Sequence, residues 1–287
     1  MGADLLQDPN VAALCDRCAE AAGVDLRRLL TEADDDELRL TQNAQPALTF
    51  TGIALAELLR RRGVEPAAAA GHSVGEYAAL CAAGAVSPEE AIQAVAERGR
   101  AMSEASPAGE STMAAVLGLT PEQVEQTVRG LDGVWPANFN TPTQTVIAGR
   151  SAAVESASEK LREAGARRVI PLNVSAAFHT PLMEAAAKRL RGTLSTLHWQ
   201  APRLPVIANL TAEPYPDAAA IPDTLERQLV SPVRWAGSVG KLREMGVDAY
   251  VELGPRRALT GMLRELHPEA AAHNVATPEE ARIALLQ

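Results

Sequence analysis

The 287-residue chain has 27 Lys and Arg against 36 Asp and Glu, a formal net charge of −9, which argues against nucleic acid or an anionic membrane as its main partner. Apolar residues make up 47% and aromatic residues 3%, so the composition excludes a disordered chain and predicts a globular protein with a core of Ala, Val and Leu. The first ten residues form neither a basic leader nor an apolar segment, and His72 and Glu76 interrupt the apolar stretch 66–86. We therefore expect a cytoplasmic protein without a membrane span.

Several helices can be predicted in chain order. Cys15 and Cys18 lie in an alanine-rich helical pattern without a second cysteine pair, so we expect no metal site there. Apolar spacing predicts a helix over residues 46–62, which Gly63 ends. Three further helix starts share a hydroxyl cap, a proline at the first helical position and Glu or Gln three residues after the cap. These caps are Ser87, Thr120 and Thr277.

A distinct unit with the element order βαββαβ is predicted in the middle of the chain. This order is typical of a ferredoxin-like fold. A turn at residues 140–142 should separate its second and third strands. The predicted strands are 113–119, 134–138, 143–148 and 168–174, and the predicted helices begin at Pro121 and span 152–164.

Outside this unit, short apolar runs alternate with helices. The runs at 67–70, 204–209 and 248–253 predict a parallel sheet covered by helices. The fold class is thus α/β, a hydrolase-like parallel-sheet core with an inserted ferredoxin-like subdomain. The expected division is a large subdomain formed by residues 1–110 and 177–287, and a small subdomain formed by residues 111–176.

The stretch GHSVGEYAAL (71–80) matches the pattern G-x-S-x-G, in which a sharp strand-to-helix turn exposes a serine hydroxyl. A candidate strand precedes it and a helical run follows it, so Ser73 is a candidate nucleophile. The backbone amide of Val74 would point to the position where an oxyanion forms.

A serine nucleophile needs a base, and the chain has five histidines. His72 is too close in sequence to fold back on Ser73, whereas His179 lies at a predicted junction between subdomains, where clefts form. The other three lie in polar contexts. No Asp or Glu is an obvious third member, so a dyad oriented by a neutral acceptor is as consistent with the sequence as a triad.

Taken together, several stretches resemble the malonyl-CoA:acyl carrier protein transacylases and the acyltransferase domains of fatty acid and polyketide synthases. They occur in the family's order and cover nearly the whole chain. These stretches are TQNAQPAL (41–48), GHSVGEYAAL, ERGRAM (97–102), NFNTPTQTVIAG (138–149), residues 175–179, RQLVSPVRW (227–235) and ELGPRRALTGML (252–263).

The resemblance implies a role for each site residue. Ser73 would carry the acyl group, His179 would be its base and later its acid, and the planar guanidinium of Arg98 would bind the free carboxylate of malonate. The ring of Phe178 would crowd a 2-methyl branch and favour malonyl over methylmalonyl. Gln228 would orient the site near the histidine, and Asn138 and Asn140 would lie near the cleft.

The resemblance also implies an N-terminal segment that this sequence does not contain before Met1. Family members begin with a strand and a loop reading Gly-Gln-Gly-Ser-Gln, whose first Gln contributes to the oxyanion hole. Losing one such donor typically lowers the rate about 10²- to 10³-fold. We therefore expect either a natural start upstream of Met1, or weak activity and low stability.

The resemblance predicts malonyl transfer from malonyl-CoA to the phosphopantetheine thiol of an acyl carrier protein, by a monomer that needs no cofactor. Two alternatives stay open. Ser73 and His179 could hydrolyse an acyl-CoA, or the chain could be an impaired homologue that serves as an interaction module. The carrier protein is typically acidic, so docking would need a local basic surface. Basic clusters occur at 60–62, 167–168, 188–191 and 256–257.

Overall fold

The computed structural model describes residues 2–105, 109–174 and 176–283. Its helices are α1 (Pro9–Ala22), α2 (Leu26–Thr31), α3 (Asp35–Arg39), α4 (Thr41–Arg60), α5 (Gly75–Ala82), α6 (Pro88–Glu104), α7 (Pro121–Val128), α8 (Ser151–Glu163), α9 (Glu184–Leu194), α10 (Ala220–Gln228), α11 (Trp235–Glu244), α12 (Ala258–Leu266) and α13 (Pro278–Ile283). Its strands are β1 (Ala69–Ala70), β2 (Ser111–Leu117), β3 (Val134–Thr141), β4 (Gln144–Arg150), β5 (Arg168–Pro171), β6 (Val206–Ile207), β7 (Ala249–Leu253) and β8 (Ala271–Val275). Short 3-10 helices span Ala3–Gln7 and Pro181–Met183. Ser175, part of the stretch 175–179, lies outside the described residues.

The three predicted capped helix starts are confirmed. The hydroxyls of Ser87, Thr120 and Thr277 each accept a hydrogen bond from the backbone amide three residues later. At Thr120 the Gln123 side chain also accepts from the cap's own amide at 2.9 Å, which completes a capping box.

The predicted βαββαβ unit is also confirmed. Its antiparallel sheet has the strand order β3-β4-β2-β5, and α7 and α8 pack on one face. The predicted turn between these two strands is present but lies at residues 142–143 rather than 140–142, because β3 continues through Asn140 to Thr141, which pairs with Gln144. The last strand ends at Pro171, three residues earlier than predicted, since proline offers no amide to extend the ladder.

The parallel pairs of the larger part are shorter than the sequence predicted. β1 pairs with β6 over two residues each. The predicted third run, β7, pairs instead with β8, a strand that the sequence analysis did not identify. The sequence of β8, AAHNV, combines two alanines with two polar residues, so it lacks the β-branched and aromatic pattern by which strands are recognised.

Helices α4 and α6 pack closely and carry residues of the site. Helix α4 begins at Thr41, five residues before the predicted start, and Pro46 lies inside it. A Cβ at Gly99 of α6 would lie 2.8 Å from the Cα of Gln42 on α4, so only glycine permits this approach. The close packing brings Arg98 of α6 next to Gln45 of α4.

The small unit is joined to the rest of the chain by backbone hydrogen bonds. Phe139 donates to the carbonyl of Val233 at 2.8 Å, and Val233 donates to the carbonyl of Ala137 at 2.9 Å. This junction fixes β3, an edge strand of the small unit's sheet, beside the segment that leads from α10 to α11. Within the described ranges, no helix combines the length and the apolar character needed to cross a bilayer.

Candidate active site

The serine at the centre of the site lies on a tight turn between β1 and α5. Ser73 has a left-handed backbone with φ 53°, which is strained for a residue other than glycine. A Cβ at Gly71 would lie 2.1 Å from the carbonyl carbon of Gly75, so glycine is required where the turn closes. A Cβ added at Gly75, by contrast, would have no atom within 4 Å beyond its own neighbours in the chain. The local geometry is that of a nucleophile elbow.

His179 lies against the serine hydroxyl. The distance between Ser73 Oγ and His179 Nε2 is 2.7 Å, and His179 Nδ1 lies 2.9 Å from the backbone oxygen of Gln228. A carbonyl only accepts hydrogen bonds, so Nδ1 carries the proton and Nε2 accepts from the hydroxyl. The third member is therefore a neutral acceptor, one of the two arrangements that the sequence left open.

Burial keeps the His179 imidazole neutral. Burial and, to a smaller extent, the positive charge of Arg98 lower the pKa of His179 to about 3, although the bond to the Gln228 carbonyl opposes the shift. A neutral imidazole with a free Nε2 lone pair is the form that can take a proton from serine.

Arg98 brings a buried cation to the nucleophile. Its guanidinium donates to Ser73 Oγ at 3.0 Å, to Gln228 Oε1 at 3.1 Å and to Gln45 Oε1 at 2.7 Å. Within the described part of the chain it forms no ion pair and its Nε has no hydrogen-bond partner, while the guanidinium carbon lies 5.9 Å from the centre of the Tyr77 ring. Burial lowers the pKa of Arg98, but a guanidinium remains charged in proteins. The site therefore holds a buried positive charge without a negative partner in contact.

A network of buried polar groups lies beneath the serine, and most of it was not predicted. Asn209 Oδ1 accepts from the Ser73 amide at 2.6 Å, and Gln228 Nε2 donates to the Ser73 carbonyl at 3.1 Å. The carboxylate of Glu76 accepts from Gln228, from the Asn209 amide and from the Tyr215 hydroxyl. The one available signal was a glutamate inside an apolar helical run directly after the elbow.

The other predicted site residues lie in the structure around Ser73 and His179, and their contacts differ. Asn140 accepts from His72 Nε2 at 2.9 Å, and Asn138 is buried where β3 meets Val233. Among the described residues, neither forms a hydrogen bond with Ser73. Phe178 is half-buried and packs against the cores of both parts of the molecule.

No group of three or more His, Cys, Asp or Glu side chains in the described ranges is placed to hold a metal ion. The geometry can activate a serine, stabilise a charge developed next to it and bind an anionic group through Arg98. These features define an enzyme of acyl transfer through a serine ester.

Comparison with known proteins gives the same class. The family model described as acyl transferase domain matches residues 1–279, so the chain belongs to the acyl transferase family and is an acyltransferase. It is 41% identical over 290 residues to the malonyl CoA-acyl carrier protein transacylase of Bacillus subtilis, covering 99% of this chain and 92% of the relative.

Solved structures agree with this assignment. The transacylase of the same name from Coxiella burnetii superimposes with a TM-score of 0.95 at 35% identity, covering all of this chain and 92% of the other. A malonyl-transacylase solved in complex with a type II polyketide synthase acyl-carrier protein gives a TM-score of 0.93 at 36% identity, covering 100% of this chain and 94% of that one. The predicted α/β fold with its inserted small unit is confirmed.

Proposed function

We propose that this chain transfers a malonyl group from malonyl-CoA to the phosphopantetheine thiol of an acyl carrier protein, through a malonyl ester on Ser73, in fatty acid or polyketide biosynthesis. The observation that carries the choice of acyl group is the unpaired Arg98 guanidinium, 3.0 Å from Ser73 Oγ. Such a cation suits an acyl group that ends in a carboxylate, and the relatives act on malonyl groups by name.

The contacts of Ser73 and His179 support the first half of the reaction. Ser73 Oγ attacks the thioester carbon while its proton passes to His179 Nε2, 2.7 Å away. The tetrahedral intermediate collapses, the carbon–sulfur bond breaks, and His179 returns the proton to the departing CoA thiolate. The malonyl group is then held as an ester of Ser73.

The second half reverses the roles. The carrier thiol gives its proton to His179 Nε2 and its sulfur attacks the ester carbon, which frees Ser73 Oγ to take the proton back. The helix that begins at Gly75 directs the positive end of its dipole at this position, and in the described residues the Val74 amide donates to no protein group. We assign Val74 N–H to the developing oxyanion.

The remaining predicted residues have supporting roles in this proposal. Gln228 orients His179 through its backbone oxygen and Arg98 through its side chain. Phe178 limits the space for a branch next to the reacting carbonyl. Asn140 holds His72 under the elbow, and Asn138 holds the junction with Val233. The subdomain boundaries, the monomeric state and the cytoplasmic location stay predictions.

Two of the four basic clusters suit an acidic carrier protein best. The clusters at 60–62 and 188–191 are already engaged in ion pairs with Glu57, Glu184 and neighbouring acids, whereas no ion pair involves Arg167, Arg168, Arg256 or Arg257 within the described residues. Reversing both charges at 167–168 should raise the KM for the carrier and leave the malonylation of Ser73 unchanged.

A transferase and a hydrolase differ in the acceptor of the malonyl group, which is a carrier thiol in the first and water in the second. Purified chain is mixed with malonyl-CoA and holo acyl carrier protein, and malonyl-carrier and free malonate are quantified, with Ser73→Ala as the control. The proposal requires malonyl-carrier as the main product. Malonate alone, with carrier present, would identify a hydrolase, and no turnover with no acylation would identify an interaction module.

A further inference from the structure

The strongest unexplained feature of the site is the carboxylate of Glu76. Its residue is fully buried in the first turn of α5, three positions after the nucleophile. Gln228 Nε2 and the Asn209 amide donate to Oε2 at 2.7 and 3.1 Å, and the Tyr215 hydroxyl contacts Oε1. No Lys or Arg of the described chain forms an ion pair with it, so it is an acceptor for neutral donors rather than half of a salt bridge.

The two residues to which Glu76 bonds in turn bond Ser73, His179 and Arg98. Asn209 bonds the Ser73 amide and, through Nδ2, the Gly71 carbonyl at 2.7 Å. The Gln228 side chain bonds the Ser73 carbonyl and the Arg98 guanidinium, and the Gln228 backbone oxygen accepts from the His179 ring. Removing the acceptor at Glu76 would therefore loosen the supports of the nucleophile and the cation directly. It would affect the base through the residue whose backbone oxygen holds it.

The side-chain amide of Gln228 can be placed in two orientations, and its neighbours determine which one is adopted. Its oxygen faces the positive charge of Arg98 and its NH₂ group faces Glu76. The opposite orientation would direct NH₂ at the guanidinium and oxygen at the carboxylate, and both contacts would be repulsive. Glu76 and Arg98 together therefore fix this side chain in one orientation.

We propose that Glu76 is a positioning residue, which holds Gln228 and Asn209 so that Ser73, His179 and Arg98 are aligned for acyl transfer. This proposal rests on the proposed function, because it assigns a support to that same site. Its action depends on a hydrogen-bond acceptor at the Oε2 position.

Four variants separate positioning from stability. Glu76→Gln keeps an acceptor oxygen for Gln228 and Asn209 and can donate to the Tyr215 oxygen. Glu76→Met keeps the approximate volume without an acceptor, and Glu76→Asp keeps the charge but shortens the side chain by one methylene. Tyr215→Phe removes only the third donor, and the Tyr215 side chain has no hydrogen bond to Ser73, His179 or Arg98.

The rate of Ser73 acylation per folded molecule is measured with malonyl-CoA and acetyl-CoA, and the folded fraction with circular dichroism. Misplacing reacting groups by about 1 Å can lower rates about 100-fold, so we expect Glu76→Met to lose about 10- to 100-fold with both substrates. Its preference for malonyl over acetyl should also fall, because Gln228 no longer holds Arg98. Glu76→Gln and Tyr215→Phe should stay within about threefold of the wild type, even if Tyr215→Phe melts earlier.

Equal rates and an unchanged malonyl preference in Glu76→Met would overturn the proposal. If Glu76→Met does not fold, Glu76→Asp decides, because positioning requires it to be slower than Glu76→Gln despite its charge, and equal rates would contradict this. Phosphonylation of Ser73 by a fluorophosphonate gives an independent measurement. If the wild type reacts with this probe but not with malonyl-CoA, the proposed function fails while the order of the Glu76 variants still tests their role.

Discussion

Arg98 donates a hydrogen bond to the hydroxyl of Ser73 over 3.0 Å, so the buried cation of the site directly contacts its nucleophile. The guanidinium has its remaining anchors on two neutral amides, Gln45 and Gln228. Neutral anchors fix the position of the charge without cancelling it. The charge is therefore available to an acyl group that carries its own carboxylate.

Replacing Arg98 should change the choice of acyl group more than the chemistry. A hydrogen bond to a charged group contributes about 1.5 to 3 kcal/mol, so Arg98→Ala should lower kcat/KM for malonyl-CoA about 10- to 100-fold. Acetyl transfer should be retained or increased. Arg100→Ala is the matched control, since Arg100 lies on the same helix, is half-buried and pairs with Glu97. Equal losses for both acyl groups would refute the assignment of Arg98.

The buried His179 should make the protein less stable as the pH falls. The pKa of His179 is about 3 in the folded state and 6.5 in the unfolded state. Below pH 6.5 the unfolded chain therefore binds a proton at this histidine that the folded chain does not bind. Relative to the wild type, His179→Gln should gain roughly 2 kcal/mol in the free energy of unfolding between pH 6.5 and pH 5. Urea unfolding at several pH values measures this difference.

The pH dependence of stability must be compared between a His179 variant and the wild type, because the titration of Glu76 changes stability in the opposite direction. Burial raises its pKa from 4.5 to about 7, so the folded chain binds the extra proton in this range and gains stability as the pH falls. The wild-type profile thus contains two opposing slopes. His273→Gln, which changes an exposed histidine, is the control. A parallel pH profile for His179→Gln and the wild type would show that His179 titrates normally.

Phe178 should set the preference against a branched acyl group. Phe178 precedes His179 in the chain and packs against both cores, so we expect its truncation to open space beside the reacting carbonyl. A single steric contact is worth about 1 to 3 kcal/mol, and Phe178→Ala should raise the methylmalonyl-to-malonyl ratio of kcat/KM roughly 10-fold or more. Leu172→Ala, a truncation in the same core of the small unit, should leave the ratio unchanged. An unchanged ratio in Phe178→Ala would remove this residue from selectivity.

Ala212 is strained, and relieving the strain should stabilise the fold. Its φ is 57°, a left-handed conformation that costs a residue with a Cβ about 1 to 2 kcal/mol. Ala212→Gly should raise the free energy of unfolding by about 0.5 to 1 kcal/mol, after the larger entropy of glycine in the unfolded chain is subtracted. Ala164→Gly is the control, because Ala164 has φ −73° and gains nothing from glycine. Equal changes in both variants would contradict the strain.

The parts of the site that lie in short motifs could be predicted from the sequence. Ser73 has its glycine pattern, and His179 and Arg98 lie in stretches that resemble a known family. Glu76 and Asn209 could not be paired in this way, because 133 residues separate them and a buried amide–carboxylate contact has no local pattern. The same limit explains β8, where pairing with β7 rather than strand propensity decides the structure.

We expect Ser73 to carry a malonyl ester that discharges to a carrier thiol. The most direct test is intact-mass spectrometry of the chain after brief mixing with malonyl-CoA, followed by a chase with either buffer or holo acyl carrier protein. We predict one malonyl group per chain, absent in Ser73→Ala, that persists in buffer and is lost rapidly to the carrier with the thiol acylated. A malonyl group that disappears equally fast in buffer, or that still forms in Ser73→Ala, would contradict a malonyl-Ser73 intermediate on the way to the carrier.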